Sequence, residues 1–189
     1  MKRLVLIALI IVGLWPAAGF AEQMSKGVEA SNNCYDQFRT GNMKAAVDFC
    51  TQAIDSGDLQ KEDLVSALIN RGVAFRNLGK YKRAIVDYTA ALKLDPNDPM
   101  IYANRANARR ELGELKHAYD DANEAIKLDD TRAASFYTRG AVLEKAGQVR
   151  SARKDYAMAL KLAPNNADYQ NKLLLIDAKL AQGEGGKSK

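Results

Sequence analysis

Along residues 65–98 the apolar and small side chains do not alternate; they return every three or four positions. Leu68, Gly72 and Phe75 form one run, and Ala84, Tyr88, Ala91 and Leu92 form a second. That spacing puts each run on one face of an α-helix. Gly79 lies between the runs, and "LDPND" follows the second. Glycine adopts a left-handed backbone at low cost, so Gly79 suits the stop of the first helix. Pro96 cannot continue the second. The stretch predicts a helical hairpin.

The same pattern returns along the chain. Gly79, Gly113 and Gly147 stand 34 residues apart, and Gly41 precedes Gly79 by 38. If this glycine is position 15 of a repeat, position 20 is Ala46, Ala84, Ala118 and Ala152, and position 27 is Ala53, Ala91, Ala125 and Ala159. Position 4 is Ala30, Leu68, Tyr102 and Phe136. The repeats run about 27–60, 65–98, 99–132 and 133–166. Alanines at 20 and 27 let two helices approach closely. One hairpin leaves an apolar face bare, so the units must stack. The expected fold is therefore all-α. After the fourth unit, "ADYQNKLLLIDAKLAQ" predicts a capping helix at 167–182. Leu173, Leu174 and Ile176 would cover the last face while Lys172, Asp177 and Lys179 meet water. The final stretch, 183–189, reads as a disordered tail.

Thirty-four residues with a large apolar group at 4, Gly or Ala at 8, Gly at 15, Ala at 20, an aromatic at 24, Ala at 27 and Pro at 32 resembles the tetratricopeptide repeat (TPR). The resemblance covers roughly residues 27–166. It implies a right-handed superhelical stack of helix-turn-helix hairpins, a TPR domain at 22–182, and a non-catalytic scaffold or adaptor that binds protein or peptide. Two units depart from the pattern. The first has Cys34 at position 8 and Cys50 at position 24, and four extra residues precede the next unit. The third has Arg109 and Ala122 where the second has Phe75 and Tyr88. A long Arg stem over a small Ala can fill the same space.

Positions 8 and 24 face each other across a tetratricopeptide hairpin, so the resemblance brings Cys34 and Cys50 together. In an oxidising compartment they would form a disulfide. Closing the loop between them contributes on the order of 3 kcal/mol in the chain-entropy account. The alternative is two separate buried thiols. A metal site would need further Cys or His nearby, and there is none.

Position 7 is Asn33, Arg71, Arg105 and Arg139; position 23 is Phe49, Asp87, Asp121 and Asp155. Units with the Arg have the Asp, and the unit without one lacks both. The two groups are expected to meet, within a unit or across a boundary, as a structural lock rather than a basic ligand ladder. Desolvation offsets part of the attraction in such a pair.

Stacked hairpins produce a concave surface lined by the first helix of each unit. Positions 4, 8 and 11 face the second helix, which leaves 2, 5, 6, 9, 12 and 13 for the groove. Position 6 gives Asn32, Asn70, Asn104 and Thr138, a ladder able to donate and accept hydrogen bonds along a peptide backbone. Tyr35, Ile69, Val73 and Tyr137 supply an apolar floor. Asn107 adds an amide, and Arg76 and Arg110 add charge. Asn at position 6 also fits a habit of the scaffold itself. Some family members hold a chaperone's C-terminal carboxylate in a Lys/Arg/Asn clamp. Here only Asn104 matches; Ile69, Val73, Ala134 and Thr138 stand where the other clamp groups would be.

Composition changes the picture at one end only. "MKR", the apolar run Leu4–Trp15 and "PAAGFAEQ" form an export signal, 1–21, with Gly19 and Ala21 placed for cleavage after Ala21. The run is about 12 residues, short of the roughly 20 that span a membrane. This points to a periplasmic or secreted protein without stable membrane insertion once the signal is cut; the alternative is retention as an anchor. The formal charge of +5 falls to +3 on cleavage, with Lys and Arg interspersed among acids. That distribution does not point to nucleic acid. One histidine, His117, no Gly-rich phosphate loop and no nucleophile–base pair give no enzyme and no cofactor. The rival to a peptide-binding scaffold is a self-associating structural module, a homo-oligomer, or an accessory subunit of a periplasmic complex.

Overall fold

A computed structural model describes residues 25–185. The expected signal segment, 1–21, and the last four residues, 186–189, lie outside the described residues. Those described form nine helices and no strand: α1 (Lys26–Arg39), α2 (Met43–Asp55), α3 (Lys61–Asn77), α4 (Tyr81–Leu94), α5 (Pro99–Leu112), α6 (Leu115–Leu128), α7 (Ala133–Lys145), α8 (Val149–Leu162) and α9 (Ala167–Gly185).

The helix ends follow local chemistry. The Ser25 hydroxyl accepts from the Val28 amide at 3.2 Å at the start of α1. The Asp98 carboxylate accepts from Met100 N at 2.7 Å, with Pro99 opening α5. Such caps satisfy amides that the helix itself leaves free. Each hairpin turns at its position-15 glycine, and Gly41, Gly79, Gly113 and Gly147 have φ of 80°, 71°, 89° and 78°. A side chain there would be strained. The four extra residues between the first two repeats are not a loose insertion. They become the first turn of α3, with Glu62 and Asp63 at its positive end and Leu64 packed on the core.

Within each hairpin, positions 8 and 24 set how closely the two helices approach. A Cβ on Gly72 would sit 2.6 Å from the Tyr88 ring, and one on Gly140 would sit 2.8 Å from the Tyr156 ring. In the third hairpin the pair is Ala106 and Ala122, both fully buried. In the first it is Cys34 and Cys50, joined by a disulfide with their Cα atoms 4.9 Å apart. Glycine faces tyrosine, alanine faces alanine, and cysteine bonds cysteine.

The position-7 arginines tie three helices together. Arg71 donates through Nε and Nη2 to Asp87 at 2.9 and 2.8 Å, and through Nη1 to the Thr51 hydroxyl of the preceding hairpin at 3.2 Å. Arg105 does the same to Asp121, at 2.9 and 2.7 Å, and to Thr89 at 3.2 Å. Arg139 reaches Asp155 at 2.8 and 2.7 Å and Asn123 at 2.8 Å. The ion pair lies within a unit, and the third arm crosses the boundary. Arg109, in place of the aromatic at position 11, sends Nη1 to Asp121 at 2.7 Å, so Asp121 serves two arginines.

Every helix packs on its neighbours in sequence. In addition α1 packs on α3, α3 on α5 and α5 on α7, with no comparable packing between successive second helices. First helices are thus nearer to one another than second helices are, and the stack curves with α1, α3, α5 and α7 inside. The main core gathers Val65, Leu68, Phe75, Tyr88, Leu92 and Ile101 between the second and third hairpins.

The last helix corrects two expectations. Ile176 is buried, and Leu173 packs with it on Leu143 and Tyr156. Leu174, expected to share that task, is 68% exposed, and Leu175 is 66% exposed. Residues 173 and 176 share a helical face; 174 lies about 100° round from its neighbour, where no further helix follows. The helix also continues to Gly185, into the stretch expected as a tail, and helix ends commonly shift by a residue or two.

Two stability measurements follow. Gly72→Ala alone should cost about 1–3 kcal/mol through overpacking. In a Tyr88→Ala background, which recreates the Ala106–Ala122 arrangement, the same change should instead stabilise by about 0.5–1 kcal/mol, because a helical glycine is removed. Urea unfolding of the double-mutant cycle reads the coupling. Asp121→Ala should cost about 3–5 kcal/mol, since two largely buried guanidinium groups lose their partner. Asp87→Ala, which strands one arginine, should cost less in the same assay.

Candidate functional site

The groove is built by repetition. Side chains at position 6 of successive first helices stand in a row because each hairpin repeats the placement of the one before. Asn70 on α3 and Asn104 on α5 are half-buried, and no other described residue holds their amides. Asn32 on α1 is exposed and already engaged within the chain. Thr138 departs from the ladder. It is 4% exposed, and its hydroxyl accepts from Asn107 Nδ2 at 3.2 Å. Two of the expected contact residues therefore bond each other across α5 and α7.

Ile69 and Val73 are half-buried against the main core, so the floor they offer is narrow. Tyr35 is 52% exposed on α1, with the Arg39 guanidinium 5.9 Å from its ring centroid. Arg76 and Arg110 border a recess of about 300 Å³ together with Asn77, Tyr81, Asn107 and Glu111. Arg110 also borders a second recess, of about 450 Å³, with Tyr137, Ala141, Glu144, Lys145, Lys172 and Lys179. Tyr137 stacks on Tyr169 of α9, centroids 5.0 Å apart, and lies tilted against Tyr156 at 5.3 Å.

At the second recess a carboxylate is already bound. Glu144 accepts from the Tyr156 hydroxyl at 2.7 Å and pairs with Lys172 at 2.7 Å and Lys179 at 4.0 Å. Burial opposes ionisation of Glu144, but the bonds from Lys172 and Tyr156 and the charge of both lysines outweigh it and hold its pKa below the ordinary value. Burial first, then the bond to Glu144, pushes the Tyr156 phenol well above its usual range. It stays a protonated donor.

Lys172 and Lys179 were expected to meet water; Lys179 does, and both also border the second recess, where they pair with Glu144. The reason is register. With Ala167 taken as position 1, Lys172 falls at position 6 and Lys179 at position 13, so α9 acts as a fifth first helix. Continuing the repeat numbering past 166 would have found them. Tyr81 and Tyr169 carry no such signal. His117 is exposed on α6. No cluster of three or more His, Cys, Asp or Glu among the described residues could hold a metal ion, and no described helix is long and apolar enough to cross a membrane.

The comparisons with known proteins agree with this architecture. The family profile described as Tetratricopeptide repeat matches residues 65–98. No curated protein matches the chain. Among solved structures, the first TPR of Spaghetti (RPAP3) bound to the HSP90 peptide SRMEEVD is 33% identical, with a TM-score of 0.57, over 62% of this chain and 93% of that one. The second TPR domain of human RPAP3, in complex with the HSP70 peptide SGPTIEEVD, is 30% identical with a TM-score of 0.57, over 62% of this chain and 98% of that one. MamA from Desulfovibrio magneticus RS-1, residue 41 to its end, has the same fold at 20% identity and a TM-score of 0.69, over 86% of this chain and 89% of that one. With hairpins that meet at small paired positions, glycine turns one period apart, and relatives of this identity over nearly their whole length, the chain belongs to the tetratricopeptide repeat family.

Proposed function

We propose that this protein is a non-catalytic scaffold whose concave face holds an extended stretch of another protein. One observation carries the reading: Asn70 and Asn104 stand on adjacent first helices, half-buried, with amides that no described residue uses. Amides that no described residue holds are available to donate to and accept from a peptide backbone. The apolar edges of Ile69 and Val73 lie beside Asn70 on α3. The peptides held by the RPAP3 domains support the class of ligand. They do not name it, because Ile69, Val73, Ala134 and Thr138 replace the groups that clamp a chaperone tail.

The setting we propose is outside the cytoplasm. The charged, apolar and small-residue segments of 1–21 support export, and a buried disulfide suits an oxidising compartment.

A second reading is self-association. The adjacent exposed leucines on α9, Leu174 and Leu175, favour it, since an apolar patch at the open end of a stack is a surface another copy can cover.

Two experiments decide between the readings. Peptides selected from a random library against the full chain should bind wild type and lose about tenfold or more in affinity to an Asn70→Ala/Asn104→Ala double variant, at about 1 kcal/mol per lost hydrogen bond. Equal binding by both proteins removes the amide pair from the account. Sedimentation velocity over a range of concentrations should show a monomer. A dimer that dissociates on Leu174→Gln/Leu175→Gln would establish self-association instead.

A further inference from the structure

Charge is unevenly spread over the concave face. Arg110 of α5 forms a wall common to both recesses. On one side stands Arg76 of α3; on the other stand Lys145 of α7 and Lys172 and Lys179 of α9. Two carboxylates answer these five cations. Glu111 pairs with Arg110 at 2.6 Å and with Lys145 at 3.6 Å, and Glu144 pairs with Lys172 and Lys179. Positive charge is left over in a recessed surface, which concentrates anions there. Arg110 adds a second sign: its Nε is buried without a hydrogen-bond partner. Glu144 shows how such a site takes a carboxylate, between an ammonium group and a tyrosine hydroxyl.

We propose that the two recesses receive two acidic side chains of one extended peptide, one on each side of Arg110. This rests on the groove reading above and adds the chemistry of the partner. The spacing follows from the repeat. Packed helices lie about 8–10 Å apart, so recesses on successive first helices are separated by about that distance. A polyproline II chain has three residues per turn and advances about 3.1 Å per residue, so side chains three apart lie on one face about 9 Å from each other. In a β-strand, residues three apart point to opposite faces, so they could not enter both recesses together. The favoured partner is thus a segment carrying Glu-x-x-Glu or Asp-x-x-Asp in a polyproline II conformation. The carboxylate at the Arg76 recess meets Arg76, Asn107 and Arg110, and the other meets Arg110 and Lys179.

Three labelled peptides of equal length in a Pro/Ala background test this by fluorescence anisotropy against the full chain. One carries Glu-x-x-Glu, one has the same two Glu adjacent, and one has Gln-x-x-Gln. The spaced acidic peptide should bind about tenfold or more tightly than either other peptide, and added salt should weaken it. Arg110→Gln and Lys179→Gln should each lower its affinity by about tenfold. Lys82→Gln and Lys116→Gln, exposed on α4 and α6, remove the same charge from the other face and should leave binding unchanged. Lys179 is 55% exposed, so that variant tests the idea even if Arg110→Gln fails to fold by circular dichroism.

Equal affinity for the adjacent-Glu or Gln peptides, with binding still lost in the Asn70→Ala/Asn104→Ala variant, overturns the acidic spacing and leaves the groove reading standing. If no peptide responds to the asparagine, arginine or lysine variants, both readings fall. A single-stranded oligonucleotide binding as tightly, and losing as much in Lys179→Gln, would replace the peptide with a polyanion and overturn the proposal.

Discussion

The stack is held in register by one guanidinium repeated three times. Arg71, Arg105 and Arg139 each grip an aspartate on the second helix of their own hairpin and a hydroxyl or amide on the second helix of the hairpin before. Hydrophobic burial drives the hairpins together but is indifferent to small rotations. A planar fork that must satisfy two helices at once is not indifferent, because its donors have fixed directions. Burying these charges costs desolvation, which the paired hydrogen bonds offset. What the fork contributes most directly is geometry, fixing how one hairpin is set upon the next and hence the curvature of the whole.

The groove is a consequence of that curvature. With first helices inside, side chains at positions 5, 6, 9, 12 and 13 line one continuous surface, except where the scaffold buries them, as at Ala103 and Thr138. Arg76, Arg110 and Lys145 lie in the last turns of α3, α5 and α7, where the helix dipole favours a cation. The positive edge of the groove therefore needs little compensation from the scaffold. Position 12, which is Arg76 and Arg110 in the second and third repeats, is Glu144 in the fourth, and there the scaffold supplies its own partners from α8 and α9. In the fourth repeat the recess already holds the chain's own carboxylate on one wall, with Arg110 and Lys179 also lining it; in the second repeat it is bordered by arginines. That contrast gives the groove a direction.

Much of the fold was legible because its constraints are local and periodic. A glycine that must be left-handed, an alanine where helices cross and a proline at the end of a unit each act within a few residues, so their spacing reports the hairpins directly. The pairing of Arg71 with Asp87 was legible from joint presence, as was the meeting of Cys34 with Cys50 from the family pattern. The third arm of the fork was missed. Thr51, Thr89 and Asn123 recur at position 25, but they differ in type and look like ordinary exposed polar residues. Thr138 was misjudged because a hydroxyl reads as a ligand contact until its neighbour Asn107 is seen to use it. Leu174 was misjudged because three apolar residues in four do not reveal which two face inward.

By itself the sequence determined the helices, their turns, their period and the small or bulky character of each facing pair, since these depend on sterics and backbone preference within one hairpin. Only the tertiary structure decided which polar side chains remain free. Asn70 and Asn104 stay unclaimed while Thr138 is taken, and Lys172 and Lys179 border the groove beside Glu144. Those outcomes depend on contacts between residues one or more repeats apart, whose distances are set by how the hairpins are tilted on one another and not by any run of residues along the chain.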